Sequence, residues 1–411
     1  MPQVFSPGWL YLFIIIMVIS LIRIFFKVRT IQREAPMDRP VIQLDPVPRS
    51  EPDLDGEADE DSLLAGPDAL IRQDDFKGAL GSLEQLLDDL SPTEDREKRG
   101  KVLFRIGACH SRLATGEERL QHILRAGEAL RESARLFTPA RFLNHYLRVL
   151  GELATVYGDL AGEKSPTENL TQSIRTCETA AASAGKGGLA GPEAMFLARS
   201  GNAYRQLASH GEAQVNLRRA ADAFEKAATI LETVEGEYAA EDAAIERMKV
   251  LKVMGDTYVD LAAYFQKAES LAHAASAYEG ALESLEIVEE GQHLKERGVI
   301  LTNAGKVLLE LYDIEKGPAH LRQALRYTRD ALDATKGEEN LIRKGLAMAV
   351  MGDALTRYSD VKDRQENLGR AVKLYEAALG ILKDGVQPEE RERVKGALAE
   401  AVGKLNAEPD S

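Results

Sequence analysis

A small residue recurs along this chain at Gly107, Ala154, Gly201, Gly255, Gly305 and Gly352, at intervals of 47, 47, 54, 50 and 47 residues. A period of that size means one supersecondary unit repeated, and such units bury their apolar faces against neighbours instead of in a single globule. Sixteen residues after each small position comes an apolar one: Ile123, Leu170, Leu217, Leu271, Leu321 and Leu368. The residue just before it is His122, Asn169, Asn216, Ser270, His320 or Asn367. Most of these are types that cap helix N-termini, so a second helix is expected to start there in every unit. A trio at helical spacing follows: Ala126–Leu130–Ser133, Ser173–Cys177–Ala180, Ala220–Phe224–Ala227, Ala274–Tyr278–Ala281, Ala324–Thr328–Ala331 and Ala371–Tyr375–Ala378. Positions i, i+4 and i+7 share one helix face. Small residues at its ends let a neighbouring helix come close, and the central larger one fills the hole between them. Each unit is therefore read as two helices, A and B.

The pattern resembles the tetratricopeptide repeat (TPR) family, in its long-repeat bacterial variety. Gly201–Tyr204, Gly255–Tyr258 and Ala154–Tyr157 match that family's small-then-aromatic pair in helix A, whereas His110, Leu308 and Leu355 depart from it. The family's period is about 34 residues; here the distance from helix A to helix B is longer by about seven residues, roughly two turns shared between the helices. The resemblance covers roughly residues 62–405. It implies an all-α, right-handed solenoid of helix-turn-helix repeats. About seven helical pairs are expected over 62–385, a capping helix over 386–405 and a short tail at 406–411. The loop-rich stretch 185–192 and the longer interval from 201 to 255 are expected to be the weakest joints, because Gly and Pro there break helices.

One segment stands outside the repeat. Residues 9–26 read WLYLFIIIMVISLIRIFF with Arg23 as the single charge, and eighteen helical residues span about 27 Å, close to a bilayer's hydrocarbon thickness. Trp9 and Tyr11 stand at one end, where amphipathic rings favour the interface. Arg23 is near enough to the other end for its head group to reach water. Residues 1–8 carry no charge and no small-residue cleavage site follows, which argues against a removed leader. Arg23, Lys27, Arg29 and Arg33 all lie at the C-terminal flank. The positive-inside bias therefore predicts residues 1–8 outside, a transmembrane helix at 9–27, and everything after it in the cytoplasm. The expected location is the inner (cell) membrane, crossed once.

Residues 28–61 continue that basic collar into a spacer with five prolines (Pro36, Pro40, Pro46, Pro48, Pro52) and seven acids between Glu51 and Asp61. Pro blocks helix propagation and the acidic run has no core to bury, so the segment reads as a disordered linker. Residues 1–33 hold four basic and no acidic side chains, which leaves −18 of the chain's −14 net charge on the remainder. An acidic repeat region of this kind is not a general binder of phosphate backbones, so no nucleic-acid partner is expected.

No chemistry stands out. Two cysteines exclude a disulfide framework or a four-cysteine metal site. Cys109 adjoins His110, but adjacent helical residues point about 100° apart and chelate poorly together. Cys177 sits at the centre of a B-helix trio, a packing position. Lys186 follows a helix and lacks the G-x-x-x-x-G-K-[ST] pattern of a phosphate loop. No catalytic, cofactor or metal residues are assigned, and neither an enzyme activity nor a small-molecule substrate is expected. The inner, A-helix face is the better candidate, as a groove for a protein partner. Its expected lining is Asn202, Arg205, Gln206, Lys249, Lys252, Asp256, Asp260, Lys306, Glu310, Asp353 and Arg357. The Lys/Asn clamp with which chaperone-binding TPR proteins hold a peptide carboxylate is not matched: Ala198 stands where the Lys of Asn202 belongs, and Asp256 where the Asn of Lys252 belongs. The function expected is a membrane-anchored adaptor or scaffold that recruits a protein at the cytoplasmic face, with a permanent structural subunit of a larger membrane complex as the alternative.

Overall fold

The structure, a computed structural model, describes residues 63–234, 240–288, 293–335, 341–383 and 387–407. Its described residues form fifteen α-helices and no strand. They are α1 (Ala65–Arg72), α2 (Phe76–Asp89), α3 (Arg96–Leu113), α4 (Arg119–Leu136), α5 (Pro139–Glu163), α6 (Pro166–Lys186), α7 (Ala190–Ala208) and α8 (Ala213–Thr233). There follow α9 (Ala240–Leu261), α10 (Lys267–Ser284), α11 (Leu294–Glu315), α12 (Pro318–Ala334), α13 (Leu341–Tyr358), α14 (Arg364–Ile381) and α15 (Pro388–Asn406). Among these described residues no helix is long and apolar enough to cross a membrane. The expected span 9–27, with Trp9, Tyr11, Arg23, Lys27 and Arg29, lies outside the described residues, as does the linker up to residue 62.

Each helix packs chiefly on the helices before and after it in sequence, which makes the repeat region a stack. Odd-numbered helices act as A and even-numbered ones as B. All eighteen residues of the six B-helix trios are buried, most of them completely. The small A-helix positions face them. A Cβ on Gly255 would come 2.6 Å from the Tyr278 ring, one on Gly352 2.6 Å from Tyr375, and one on Gly201 2.9 Å from Phe224. Gly107 and Gly305 meet Leu130 and Thr328 in the same way, at 2.6 and 2.7 Å. Glycine is needed here for close approach, not for an unusual φ. Each large B residue so enclosed contributes roughly 1.5–3 kcal/mol of apolar burial, and the core runs on from one pair to the next.

The B-helix starts differ from the expectation. Asn169, Asn216, Ser270 and Asn367 are not N-caps but lie one turn inside their helices. Their side chains reach back five residues and donate to a main-chain carbonyl: Asn169 to Lys164 (2.8 Å), Asn216 to Gly211 (2.9 Å), Ser270 to Phe265 (2.9 Å) and Asn367 to Lys362 (2.7 Å). The caps proper are Ser165, Glu212, Gln266 and Asp363. All four are left-handed, with φ of 44°, 49°, 32° and 49°, and none caps through its side chain. The A-to-B turn is thus closed by a side chain from within helix B. It tolerates a non-glycine residue where glycine is the cheaper choice.

The stretch 185–192 is also tighter than expected. Helix α6 continues to Lys186 and α7 starts at Ala190, so Gly187, Gly188 (φ 74°) and Leu189 alone connect them. Gly187 lies against Leu143 and Gly185 against Glu193, so a side chain at either would displace its neighbour. Helices α6 and α7 pack extensively. The glycines here serve a compact turn, not a weak joint.

Candidate functional site

One face of the stack is held by polar contacts from each A helix to the next. Arg105 of α3 grips Asp68 of α1 with two bonds, 2.6 and 2.9 Å. Arg148 of α5 lies over the Phe104 ring of α3, 5.4 Å from its centre. Arg199 of α7 donates to Thr155 of α5 (2.7 Å), and Arg205 of α7 to Asp260 of α9 (2.8 Å). Asn303 of α11 donates to Asp256 of α9 (3.3 Å). Arg357 of α13 holds Asp313 of α11 through Nε (3.0 Å) and Nη2 (2.6 Å), and Arg393 of α15 reaches Asp353 of α13 (2.7 Å). Every consecutive pair of A helices is therefore joined along this face. The partners are 37 to 55 residues apart, about one repeat.

Five of the eleven expected groove residues, Arg205, Asp256, Asp260, Asp353 and Arg357, belong to these ties. Asp256 and Asp353 each occupy the position just after the A-helix glycine, and both are buried, 7% and 8% exposed. Both accept the hydroxyl of their own unit's B-helix tyrosine, Tyr278 at 2.6 Å and Tyr375 at 2.7 Å. They brace the A–B pair and do not line an open surface. Lys252 leans on Asp256 (3.5 Å), Lys249 on Glu246 (2.6 Å), Lys267 on Glu310 (3.1 Å) and Lys306 on Glu390 of α15 (3.7 Å). Lys249, Lys306 and Gln206 are exposed. Asn202 and Arg205 keep polar atoms without partners: Oδ1 of Asn202, and Nε and Nη1 of Arg205, are buried and form no hydrogen bond. Buried atoms without a partner recur at Nε of Arg247 on α9 and of Arg393 on α15.

The electrostatics follow the ties. Burial alone would push the Asp313 carboxyl up, but the bound Arg357 guanidinium outweighs it and holds it below its ordinary value. Glu390 is likewise held down against its burial, by Arg393 and Lys306. Burial, then the adjacent Asp256 carboxylate, pushes the Tyr278 hydroxyl well above its ordinary value, and Tyr375 beside Asp353 is raised for the same reasons.

Among the described residues no group of three or more His, Cys, Asp or Glu side chains is placed to hold a metal ion. Cys109 and Cys177 are buried free thiols, pushed up by burial to about 12 and about 11. His110 is buried and shares a 2.9 Å Nδ1–Nδ1 contact with His122 of α4. Burial, then His122 and Arg125, lower His110 to about 4, so it is neutral near pH 7.

The sequence offered one unused signal for the buried pairs. Asp follows the A-helix glycine in the two units whose B trio centres on Tyr, Gly255–Asp256 with Tyr278 and Gly352–Asp353 with Tyr375. Where the trio centres on Phe224 or Thr328, the following residue is Asn202 or Lys306.

No family model matches the chain, and no curated protein does. Solved structures resemble it at low identity. The C-terminal part of a TPR repeat-containing protein from Cytophaga hutchinsonii is 11% identical, covers 83% of this chain and 99% of its own, and gives a TM-score of 0.46. The apo form of RapI is 12% identical over 78% of this chain and 96% of its own, with a TM-score of 0.37. The TPR2AB domain of yeast Sti1, in complex with pHSP90, is 14% identical over 74% of this chain and 99% of its own, with a TM-score of 0.28.

Proposed function

We propose that this chain is a protein-binding adaptor, a TPR-type helical stack held at the cytoplasmic face of the inner membrane by the apolar segment 9–27. The observation that carries the binding role is the A-helix face. It sets a continuous row of polar side chains along successive repeats, joined from each A helix to the next, with Gln206, Lys249 and Lys306 exposed beside it. A rigid stack of this kind suits an extended protein segment lying across several units. The apolar run and its one-sided basic flank support the anchor and its orientation.

A photo-crosslinking residue placed at Gln206 on the A face, and separately at Lys226 on the exposed side of α8, tests the reading in intact cells. The adaptor reading expects one discrete protein adduct from position 206 and none from 226. Equal labelling from both faces, or none from either, contradicts it. A reporter fused after Ser411 tests the orientation: a fluorescent protein that matures only in the cytoplasm is expected to glow, and activity of an alkaline phosphatase fused there, an enzyme active only in the periplasm, would count against it.

A further inference from the structure

We infer that the outer face of α12 is a docking surface for an acidic helix of a partner protein, one whose carboxylates recur once per turn. The surface belongs to a B helix, not to the A face, and goes beyond the adaptor reading. Within each B helix, the positions one, five and eight after the first buried apolar residue share one face, turned away from the packing trio. In α12 they are Arg322, Arg326 and Arg329, all exposed. Every other B helix from α4 to α14 carries an acid in this row: Glu128, Glu178, Asp222 with Glu225, Glu279 and Glu376. Like charges three and four residues apart repel and weaken the helix that bears them. The fold does not offset that repulsion. Among the described residues no carboxylate pairs with any of the three, and Arg326 lies over the ring of its neighbour Tyr327, 5.1 Å from its centre. Glu279 of α10 binds Gln323 and Tyr327 instead of the arginines. Asp333 ends the row one turn beyond Arg329 and has a contact of its own.

A guanidinium is a planar fork that takes a carboxylate with two parallel bonds. The three forks stand one turn apart and span about 10 Å along the axis, the spacing of side chains on another helix. An acidic helix lying along α12, with Glu or Asp at i, i+4 and i+7, sets one carboxylate against each fork. An anionic bilayer fits less well. A plane laid across the B helices also meets the exposed Asp222, Glu225 and Glu376 of other units, and α12 has no exposed large apolar side chain to insert. A single helix stays within about 8 Å, one Debye length, of α12. The chain's net charge of −14 is therefore largely screened from it.

The test is fluorescence anisotropy on the full chain in neutral detergent micelles at low salt. The probe is a labelled alanine-based helical peptide with Glu at i, i+4 and i+7, and its control has Gln at those positions. Three exposed ion pairs of modest strength are expected to make the Glu peptide bind at least about tenfold tighter than the Gln peptide. R326E is expected to weaken the Glu peptide at least about fivefold. K226E makes the same change of charge on the exposed side of α8 and is expected to leave binding within about twofold. Should R326E fail to fold by circular dichroism, R326Q replaces it. No binding of the Glu peptide, equal binding of the two peptides, or equal effects of R326E and K226E overturn the inference. So does soluble dihexanoyl phosphatidylserine that displaces the labelled peptide at lower concentration than unlabelled Glu peptide does, because the row then belongs to lipid headgroups.

Discussion

Two adjacent units, α7–α8 and α9–α10, share a plan and finish it differently. Both close a glycine of helix A under an aromatic of helix B, and both turn through a left-handed cap braced from inside the B helix. In α9–α10 the aromatic is Tyr278, hydrogen-bonded to Asp256, which also takes Asn303. In α7–α8 it is Phe224, and Asn202 and Arg205 are left with open valences. One unit pairs the residue after its glycine with the aromatic hydroxyl, and its neighbour has no hydroxyl to pair. Packing is therefore kept by shape from one unit to the next, while the buried hydrogen bonding differs by a single hydroxyl.

The largest difference is expected from adding a methyl group at the small position. Gly255→Ala pushes against a ring pinned by its hydroxyl, and Gly201→Ala against a buried ring that lacks that hydrogen bond. By overpacking costs of this kind, the first should lose about 3 kcal/mol and the second about 1 in urea unfolding. Equal losses would erase the contrast. Next, Tyr278→Phe strips the buried Asp256 of its shortest bond and should cost about 2 kcal/mol, since bonds to charged groups exceed neutral ones. A cost under about 0.5 kcal/mol would show that Asn303 and Lys252 suffice.

Alkaline pH sharpens the same point. A tyrosine whose folded pKa is raised keeps its proton while the unfolded chain loses it. Its contribution is complete below pH 10 and is lost as pH rises above that value. Each such tyrosine costs up to about 1.4 kcal/mol per pH unit there. Thermal melts from pH 9 to 11 should therefore fall less steeply in Tyr278→Phe, and a slope unchanged by the substitution would argue against the Tyr278–Asp256 pair. The smallest effect lies in what the units share. Glu212→Gly and Gln266→Gly relieve a left-handed cap at the expense of a floppier unfolded chain, and each should gain about 0.5 kcal/mol. A gain in only one would show that the turns differ as well.

The repeating pack was legible in the sequence because it is local and periodic. The spacing of Ala274, Tyr278 and Ala281 fixes a helix face whatever lies around it, and that face is buried. The B-helix caps were not legible. Asn216 has the composition of a cap but sits one turn inside, and nothing about Glu212 marks a left-handed φ. The A-face ties were not legible either, because Arg205 and Asp260 are 55 residues apart and meet only when repeats stack. For that reason Asp256 and Asp353 read as groove lining from their spacing, when they are buried acceptors for tyrosine.

The most direct measurement is a double-mutant cycle in urea unfolding between Phe224→Tyr and Asn202→Ala. If α7–α8 is the same cradle without its hydroxyl, the new tyrosine should stabilise the chain by about 1 kcal/mol only while Asn202 is present, giving a coupling of that size. A coupling near zero, or a tyrosine that destabilises both backgrounds alike, would mean that the hydroxyl does not reach Asn202. The two units would then not share one plan.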